Sequence, residues 1–302
     1  MHKLDVTVII INYNTPQLTI ESVQSVLTYT SGISYEIIVI DNASSDTSVS
    51  EIKAAYTDEI IFIENKVNVG FGKANNQGIE IAKGEFVFLL NSDAFLTSNG
   101  LLEFVNFMRM PGNEKVAFCG AALFTGREDT IVSYGNFPTL LEAFSSIGFY
   151  LLYKNYYVEN ISAGVTNRSQ EIRQVDYING ADIFIRKSCL DAHGAFDRDF
   201  FLYFEETELA FRMHQKGYVA YMLPDVRIIH LGNGSQQTRK RFNYVNFGHY
   251  CKGRDLYFKK CHGIVYSYLV RLCYAVTEIN LSVTGKRNGN LLRKLKAILF
   301  PV

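Results

Sequence analysis

The 302-residue chain contains 48% hydrophobic and 20% charged residues, with five prolines and five cysteines. That balance supplies a packed core and excludes a wholly disordered, collagen-like or proline-rich chain. The net charge of zero hides a division, because residues 239–302 carry 13 Lys and Arg against two acids, a net +11, which leaves −11 for the rest. Neither a signal-peptide order nor a CxxC spacing is present, which predicts reduced thiols in a cytoplasmic protein.

The first hundred residues alternate between strand-like and helix-like segments. The run from 6 to 11 is apolar on both faces, and Pro16 follows where the first turn of a helix tolerates proline. Such alternation predicts an α/β fold with a doubly wound, mostly parallel sheet and helices on both faces. The predicted strands are 6–11, 36–40, 59–63 and 86–90, and the later helices are 49–56 and 73–82.

Each predicted strand ends in a polar cluster or loop, and ligands of such sheets bind beyond the carboxyl ends of the strands. The GxGxxG pattern of dinucleotide sites does not follow the first strand, and the GxxxxGK[ST] pattern of P-loops does not occur. Asp41 is expected to accept a hydrogen bond from a nucleobase. Asp93 is expected to hold a divalent cation, Mg²⁺ or Mn²⁺, that also binds phosphate oxygens. Gly70 and Gly72 open the third helix and by themselves also fit a plain tight turn.

Four ordered motifs carry a family resemblance. They are residues 8–14, 38–46, 68–78 and 89–93, and similar segments follow at 180–181, 194–197, 200–206 and His230. Over residues 5–235 the chain resembles family-2 glycosyltransferases with the GT-A fold. Within that family it is most similar to the bacterial rhamnosyltransferase-like enzymes of surface-polysaccharide assembly. The motif at 89–93 resembles the family's DxD metal motif in an NxD form.

The resemblance implies a site for a nucleoside-diphosphate sugar in the first half of the chain. Asp93 and His230 would bind the metal, together with diphosphate oxygens and water. On the residues alone, a His at a strand end is more often a hydrogen-bonded structural residue. The residues implied in donor binding are Asn12, Asn14, Asp41, Asn42, Asn68, Gly70, Phe71, Gly72, Asn75, Asn76, Asn91, Ser92 and Asp93. The implied units are a GT-A domain, 1–238, with a nucleotide-sugar half, 1–95, an acceptor and catalytic half, 96–238, and a basic helical extension, 239–302.

Three carboxylates, Glu205, Glu206 and Glu208, lie at a predicted helix start. Acids in a first turn are favoured by the helix dipole, so composition alone gives them a structural role. The resemblance implies instead that Glu206 is the base that takes the proton of the acceptor hydroxyl, since the family places its base at the second position of a Glu-Asp pair. This chain has Glu there. Gly180, Ala181 and Glu205 are the implied acceptor residues.

The stretch from 124 to 176 is irregular and rich in aromatic residues. A dense aromatic stretch indicates either a core or a cleft that binds sugars and lipid stems, and both interpretations stay open. Arg168 and Arg173 either face a pyrophosphate or are ordinary loop arginines. The aromatic residues of one predicted helix are Phe144, Phe149, Tyr150, Tyr153, Tyr156 and Tyr157.

Three helix-like segments, 241–260, 264–281 and 290–300, follow the family-like region. The last resembles a basic amphipathic helix, which predicts peripheral contact of 239–302 with an anionic membrane at the inner face of the cell membrane. The alternative is a packed helical pair with solvated charges. The tail has no recognised nucleic-acid motif, so no nucleic-acid partner is expected. Arg271 and Glu278 interrupt the most apolar stretch, which makes it a poor transmembrane span.

The leading hypothesis is an inverting, metal-dependent transferase that moves one sugar to a hydroxyl of a lipid-linked saccharide. Rhamnose from dTDP-rhamnose is the first expectation, and another UDP-, GDP- or dTDP-sugar is the alternative. A nucleotidyltransferase would need a Gly-rich loop with arginine after the first strand, which 12–16 does not supply. A processive synthase is disfavoured because the chain has no Trp for a QxxRW motif. A non-catalytic scaffold with a decayed site is a further alternative, motivated by Asn91 and Glu206.

Overall fold

The structure is a computed structural model that describes residues 4–126, 129–162, 171–232, 242–285 and 289–301. The strands are β1 (Leu4–Asn12), β2 (Tyr35–Asp41), β3 (Ile61–Glu64), β4 (Gly84–Asn91), β5 (Ala94–Leu96), β6 (Val116–Phe124), β7 (Tyr134–Gly135), β8 (Arg173–Val175), β9 (Tyr177–Ile178), β10 (Asp182–Arg186) and β11 (Val219–His230). The helices are α1 (Pro16–Tyr29), α2 (Ser48–Ala55), α3 (Phe71–Ile81), α4 (Gly100–Arg109), α5 (Leu140–Ser145), α6 (Lys154–Tyr156), α7 (Lys187–His193), α8 (Glu205–His214), α9 (Tyr244–His262), α10 (Ile264–Val283) and α11 (Leu291–Leu299).

The main sheet has the strand order β3-β2-β1-β4-β10-β6-β11-β5, with β8 also paired to β11. Strands β1 to β4 are parallel, and β10 runs antiparallel between β4 and β6. Strand β11 is parallel to β6, whereas β5 and β8 are antiparallel to β11. Most strands therefore share one direction, which confirms the predicted mostly parallel sheet. The antiparallel β10 brings the segment after Gly180 next to the end of β4.

Both faces of the sheet are covered, which explains why the run in β1 is apolar throughout. Val8 and Ile10 pack into the core that includes Phe104 of α4. Ile9 points to the opposite core with Ala74 of α3. The side chains of β1 thus alternate between two helix layers, as a doubly wound fold requires.

The observed element bounds differ from the predicted ones by a few residues, each for a local reason. Strand β3 begins at Ile61 instead of 59, because the carboxylate of Glu59 accepts hydrogen bonds from the backbone N–H of Thr57 and Asp58 in a turn. Helix α9 begins at Tyr244, where the side chain of Asn243 caps the first turn. The aromatic stretch forms short turns instead of one helix: α5 and α6, with a 3₁₀ turn at Phe149–Tyr153 and a π turn at Tyr157–Ser162.

The C-terminal helices pack onto the rest of the molecule. Tyr257 and Phe258 of α9 are buried in a cluster with Phe200, directly ahead of α8. The predicted domain boundary between 238 and 239 lies outside the described residues. In the described part of the chain, no helix has the length and apolarity needed to cross a bilayer.

Several basic residues of the tail are buried in ion pairs. Lys294 of α11 is fully buried and its Nζ lies 2.7 Å from Oε1 of Glu278. Arg271 and Lys259 both pair with Asp255, at 2.6 Å and 2.8 Å. Lys294 and Ile298 of α11 pack inward, so this face of the helix fits the packed alternative, and the predicted membrane contact of the remaining face stays a prediction.

Candidate active site

The loops after β1 and β2 are joined by a buried polar network centred on Asp41. Its Oδ1 accepts from Nδ2 of Asn12 at 2.6 Å and from Oγ of Ser44 at 2.6 Å, and its Oδ2 accepts from the N–H of Ser44 at 3.0 Å. Asp41 is only 1% exposed. Its predicted contact with a nucleobase stays a prediction, whereas its role in holding these loops is visible. Asn14 is exposed at the rim, and its Oδ1 accepts from the N–H of Ser45.

A second network shapes the loop that opens α3. The side chain of Asn42 donates to Oδ1 of Asn68 at 3.0 Å and accepts from the N–H of Val69 at 3.1 Å. Oδ1 of Asn68 also accepts from the N–H of Gly70 at 2.9 Å. These amides fix the backbone of residues 65–70, which we call the donor loop after its predicted role, so Asn42 and Asn68 position this loop.

Gly70 and Phe71 connect the donor loop to the segment ahead of α8. The N–H of Phe71 donates to the carbonyl of Phe201 at 2.9 Å. Gly70 has φ of +88°, and a Cβ there would overlap the Phe201 carbonyl, so both the conformation and the contact require glycine. A Cβ on Gly72 would lie 3.1 Å from Cβ of Phe196, within the downstream motif at 194–197.

The side chains of Asn75 and Asn76 in α3 form hydrogen bonds with the protein backbone. Asn75 is buried and donates to the carbonyl of Phe71 at 3.1 Å. Asn76 donates to the carbonyl of Phe196 at 2.8 Å and accepts from its N–H at 3.0 Å. Asn76 therefore joins α3 to the 194–197 loop, whereas Asn75 bonds within the first turns of α3 itself.

The end of β4 lies beside the end of β11. Oδ1 of Asp93 lies 3.2 Å from Nε2 of His230, and the N–H of Leu231 donates to the backbone carbonyl of Asp93. Octahedral Mg²⁺ holds its ligands at about 2.0–2.1 Å, so neighbouring ligand atoms lie about 3 Å apart. The two side chains contact each other directly, as the structural interpretation of His230 expects, and the same separation suits adjacent positions on one cation. The described residues contain no group of three or more His, Cys, Asp and Glu side chains suited to a metal.

Asn91 and Ser92, from the same motif, are partly exposed at this edge. The N–H of Asn91 donates to the carbonyl of Ala181 at 3.0 Å, and Oγ of Ser92 lies 3.2 Å from Oγ1 of Thr15. Ala181 is fully buried. Of the three predicted acceptor residues, Ala181 and Glu205 are buried and Gly180 is partly exposed.

Glu206 lies in the first turn of α8, directly after two residues in the left-handed conformation. Tyr203 and Phe204 have φ of +72° and +71°. Consecutive non-glycine residues in this region are strained and persist only where packing holds them. A Cβ on Gly180 would lie 4.0 Å from Cδ of Glu206 and 3.8 Å from Cε1 of Phe71. Three segments far apart in the chain, at 71, 180 and 206, therefore converge.

The three acids of this helix start have different surroundings. Burial raises the pKa of Glu206 to about 7. Burial, and then the charge of Glu206, raise the pKa of Glu205 well above its ordinary value, and Oε2 of Glu205 has no hydrogen-bond partner within the described ranges. Glu208 instead forms a bidentate pair with Arg212, at 2.9 and 3.2 Å. Arg212 also donates to three backbone carbonyls of residues 193–195, so Glu208 has a structural role.

A cavity of about 750 Å³ begins at Glu206. It lies between the segment 132–139, the end of the aromatic stretch, and helices α8, α9 and α10. Nine of the 22 described residues that line it are Phe or Tyr, with charged and polar groups between them, a composition that suits a saccharide. The lining includes Tyr134, Phe137, Glu142, Tyr156, Arg173, Asp176, Tyr177, Tyr203, Phe204, Glu206, Tyr250, Arg254, Phe258 and Tyr274.

The aromatic stretch contributes both to the hydrophobic core and to the cavity, the two roles that the sequence left open. Tyr156 lines the cavity, whereas Phe144 packs against the cluster that contains Phe200. Phe149 and Tyr150 are exposed instead. Arg173 lines the cavity with its guanidinium 5.9 Å from the ring centre of Tyr134, and Arg168 lies outside the described residues.

Helix α9 supplies cavity residues that the sequence analysis did not single out. Tyr250, Arg254 and Phe258 follow at intervals of four residues and line one wall of the cavity. Residues four apart share one face of a helix. An arginine flanked by aromatic residues four positions away on each side is the sequence signal for this cavity-lining face within the basic tail.

Comparison with known proteins places these features in a family. Residues 7–169, more than half of the chain, match the family model described as glycosyl transferase family 2. The chain is 25% identical over 247 residues to the low-salt glycan biosynthesis hexosyltransferase Agl10 of Haloferax volcanii, covering 80% of this chain and 71% of the relative. It is 33% identical over 111 residues to a poly(ribitol-phosphate) beta-glucosyltransferase of Bacillus spizizenii, covering 35% of this chain but only 17% of that longer relative.

Solved structures share the fold at low sequence identity. A mannosyltransferase of Pyrobaculum calidifontis, solved in complex with GDP-Man and Mn²⁺, superposes with a TM-score of 0.57 at 16% identity, covering 96% of this chain and 77% of that one. GalNAc-T7, solved with UDP, GalNAc and Mn²⁺, gives 0.60 at 15% identity, covering 98% and 54%. The fold is therefore of the GT-A type, and the chain belongs to glycosyl transferase family 2.

Proposed function

We propose that the protein is an inverting glycosyltransferase that uses a nucleotide sugar in glycan or polysaccharide synthesis. The observation that carries this proposal is the convergence of Phe71, Gly180 and Glu206 at one end of an aromatic cavity. The first residue of α3 and a carboxylate with a raised pKa thus lie on either side of Gly180, and the N–H of Asn91 at the end of β4 donates to the next residue, Ala181. An activated donor on one side and a base on the other are what a single displacement at an anomeric carbon requires.

On the donor side, Asp93 and His230 would hold Mg²⁺ or Mn²⁺. Their 3.2 Å separation suits adjacent ligands of one ion, and water and donor oxygens would complete its coordination. Such a cation, when bound, offsets the charge of the diphosphate leaving group. Asn14, Asn91 and Ser92 are the members of the predicted donor set at this edge that are at least partly exposed to a ligand.

On the acceptor side, Glu206 would accept the proton of the attacking hydroxyl. Its carboxylate borders the cavity, and a pKa of about 7 leaves an ionised fraction near neutral pH while making the group a stronger base than an ordinary carboxylate. Because one base acts in one displacement, the anomeric configuration inverts. Burial raises the pKa of Glu205 well above its ordinary value, and its buried position favours a role in positioning Glu206 over one as the base.

The donor sugar is proposed as rhamnose from dTDP-rhamnose on the motif resemblance alone. The relatives are named as a hexosyltransferase and a glucosyltransferase, which makes UDP-glucose the first alternative. Thermal unfolding with a panel of nucleotide sugars and Mn²⁺ tests this, since a bound donor raises the midpoint by mass action. The donor that protects most should lose its effect with EDTA and in Asp93→Ala. Protection by no sugar, with folded protein, would favour the non-catalytic scaffold.

The acceptor is proposed to be a lipid-linked saccharide, met at an anionic membrane surface. Helix α10 exposes a row of apolar side chains that includes Val265 (70% exposed), Leu272 (57%) and Val276 (44%). Exposed basic residues of the adjacent α11, Arg293 and Lys296, add attraction to anionic lipid. The proposed site of action is accordingly the inner face of the cell membrane, with peripheral attachment.

Vesicle cosedimentation tests the membrane surface. The double variant Leu272→Glu with Val276→Glu should bind phosphatidylglycerol vesicles more weakly than wild type, because it places charge on the apolar row. Asn280→Glu adds a charge at an exposed polar position of the same helix and should have little effect. Equal sedimentation of the double variant and wild type would contradict this surface.

A further inference from the structure

Arg254 lies almost fully buried in the wall of the proposed acceptor cavity. It is 4% exposed, and its guanidinium carbon lies 3.8 Å from the ring centre of Tyr274 and 5.7 Å from that of Tyr250. Stacking on aromatic faces holds the planar group in one orientation. The guanidinium is therefore buried and positioned.

The charge of Arg254 has a protein counterpart without direct contact, Glu142, whose pKa is raised by burial and lowered by the attraction of Arg254. Within the described ranges its guanidinium forms neither an ion pair nor a hydrogen bond, whereas the other buried cations of the tail, Arg271 and Lys294, are paired with Asp255 and Glu278. Glu142 lines the same cavity, but no ion pair joins it to Arg254. A buried cation without a directly bonded partner is costly, so its retention points to a ligand anion.

Two cavities meet at this residue. The 750 Å³ cavity that begins at Glu206 and a second cavity of about 260 Å³ share Tyr250, Arg254 and Tyr274 as lining residues. The second cavity lies among α9, α10 and α11, with Phe247 and Ile298 in its wall. Arg254 thus faces the space of the base on one side and a space among the tail helices on the other.

We propose that Arg254 binds the diphosphate that joins the acceptor saccharide to its lipid. This proposal rests on the proposed function, since it assumes that the larger cavity holds the acceptor. The sugar would lie toward Glu206, the diphosphate at Arg254, and the lipid stem would leave through the smaller cavity toward the exposed apolar face of α10. The guanidinium fork matches phosphate oxygens and forms paired, charge-assisted hydrogen bonds with them.

The binding test uses decyl diphosphate in metal-free buffer with EDTA, which keeps the donor site from retaining the probe through a cation. Isothermal titration compares wild type with Arg254→Met, Arg254→Lys and Lys252→Gln. Arg254→Met should weaken binding about tenfold or more, as expected for a lost charged hydrogen bond. Arg254→Lys keeps the charge but lacks the guanidinium fork, so its affinity for decyl diphosphate should lie between those of wild type and Arg254→Met. Lys252→Gln removes a charge two residues away on the same helix and should bind within twofold of wild type.

Thermal unfolding provides a second readout that a merely structural arginine would not give. Without ligand, Arg254→Met should unfold at a higher temperature than wild type, because it removes an unpaired buried charge and keeps a long side chain. Decyl diphosphate should raise the midpoint of wild type and not that of the variant. The assignment would be overturned if Arg254→Met bound decyl diphosphate as tightly as wild type. It would also be overturned if the variant unfolded at a lower temperature than wild type and decyl diphosphate raised both midpoints equally.

Control probes separate the sources of the anion. Inorganic pyrophosphate that protects as well as decyl diphosphate would keep Arg254 as a diphosphate site and overturn the lipid path. If decanol raised the unfolding midpoint as much as decyl diphosphate does, the anion site would be overturned. Metal-dependent donor hydrolysis is measured in parallel on wild type and Lys252→Gln, which should hydrolyse the donor at equal rates. Loss of hydrolysis in wild type itself would contradict the proposed function while leaving the diphosphate result to stand alone.

Discussion

The backbone of Tyr203 lies directly against Gly253 of α9, so closely that a Cβ on Gly253 would overlap the Tyr203 carbonyl oxygen. Tyr203 is one of the two left-handed residues ahead of Glu206. The tail helix therefore supports the strained turn that presents the proposed base. A wider side chain at 253 must displace either α9 or that turn.

Gly253→Ala should accordingly reduce both stability and turnover. The overlap involves backbone, which cannot rotate away, so a loss of about 1–3 kcal/mol in unfolding free energy is expected, with a lower kcat. Gly248→Ala is the matched control, because Gly248 lies in the same helix with open space around it. There alanine should stabilise by about 0.5–1 kcal/mol. Urea unfolding and initial rates measure both effects, and equal behaviour of the two variants would contradict the contact.

Glu206→Gln should lower kcat by about 10²–10⁴-fold with donor affinity retained, since it keeps the shape and removes the proton acceptor. Glu205→Gln mimics the neutral form favoured by burial and should remain active. Glu206→Asp should be partly tolerated, because it shortens the side chain by one methylene and retains the base. Rates at saturating donor and acceptor decide the matter. A larger kcat loss in Glu205→Gln than in Glu206→Gln would show that Glu206 is not the base.

Glu208→Gln should act differently from both. It weakens the pair with Arg212, which holds the carbonyls of residues 193–195, so the expected loss is in stability. The unfolding midpoint should fall while the pH profile of the remaining activity stays unchanged. A shifted pH profile with an unchanged midpoint would contradict the structural role.

The pH dependence follows from the pKa of Glu206, raised by burial from 4.5 to about 7. Turnover should rise with pH through about 7, where the base ionises. Between 4.5 and 7 the folded state binds more protons at this group than the unfolded state, so stability contributed by Glu206 is present at low pH and lost as pH rises. Glu206→Gln should thus be more stable than wild type at pH 8, by about 1–3 kcal/mol, and equal to it near pH 4.

Metal dependence should change in graded steps. Asp93→Ala removes the charged ligand and should abolish protection by donor with Mn²⁺, whereas His230→Ala should raise the Mn²⁺ concentration needed for half-maximal protection. Titration of Mn²⁺ at fixed nucleotide sugar measures both. An unchanged titration in His230→Ala would remove that residue from the ligand set, and near-normal activity of folded Asp93→Ala would refute the site itself.

The strands and the polar residues at their ends were predictable from sequence. The apolar run of β4 and the polar cluster after it placed Asp93 at a strand end, because strand periodicity is a local property. Glu206 was singled out only by the family resemblance, since composition alone gave the acids of that helix start a structural role, and the roles of both residues stay predictions. The hydrogen-bond partners of the Asp41 carboxylate were not predictable. Whether its carboxylate faces a ligand or Asn12 and Ser44 depends on how two loops from different strands meet.

The acceptor side was less accessible to sequence reasoning for the same physical reason. Its cavity is built from Tyr134, Tyr177, Tyr250 and Tyr274, which lie far apart along the chain. The basic tail was expected to expose its charges, yet Lys294 is fully buried against Glu278, sixteen residues earlier on another helix. Composition counts charges, and only packing decides which of them are neutralised.

The wall that α9 and α10 contribute to the cavity has a consequence for how such enzymes diversify. Donor loops come from residues 12–93, whereas Tyr250, Arg254 and Tyr274 come from the last sixty residues. Exchange of the C-terminal helices between relatives, by recombination or by engineering, would then change which acceptor is recognised and leave the choice of nucleotide sugar intact. The contact of Gly253 with Tyr203 limits that exchange, since an incoming helix must carry a small residue there.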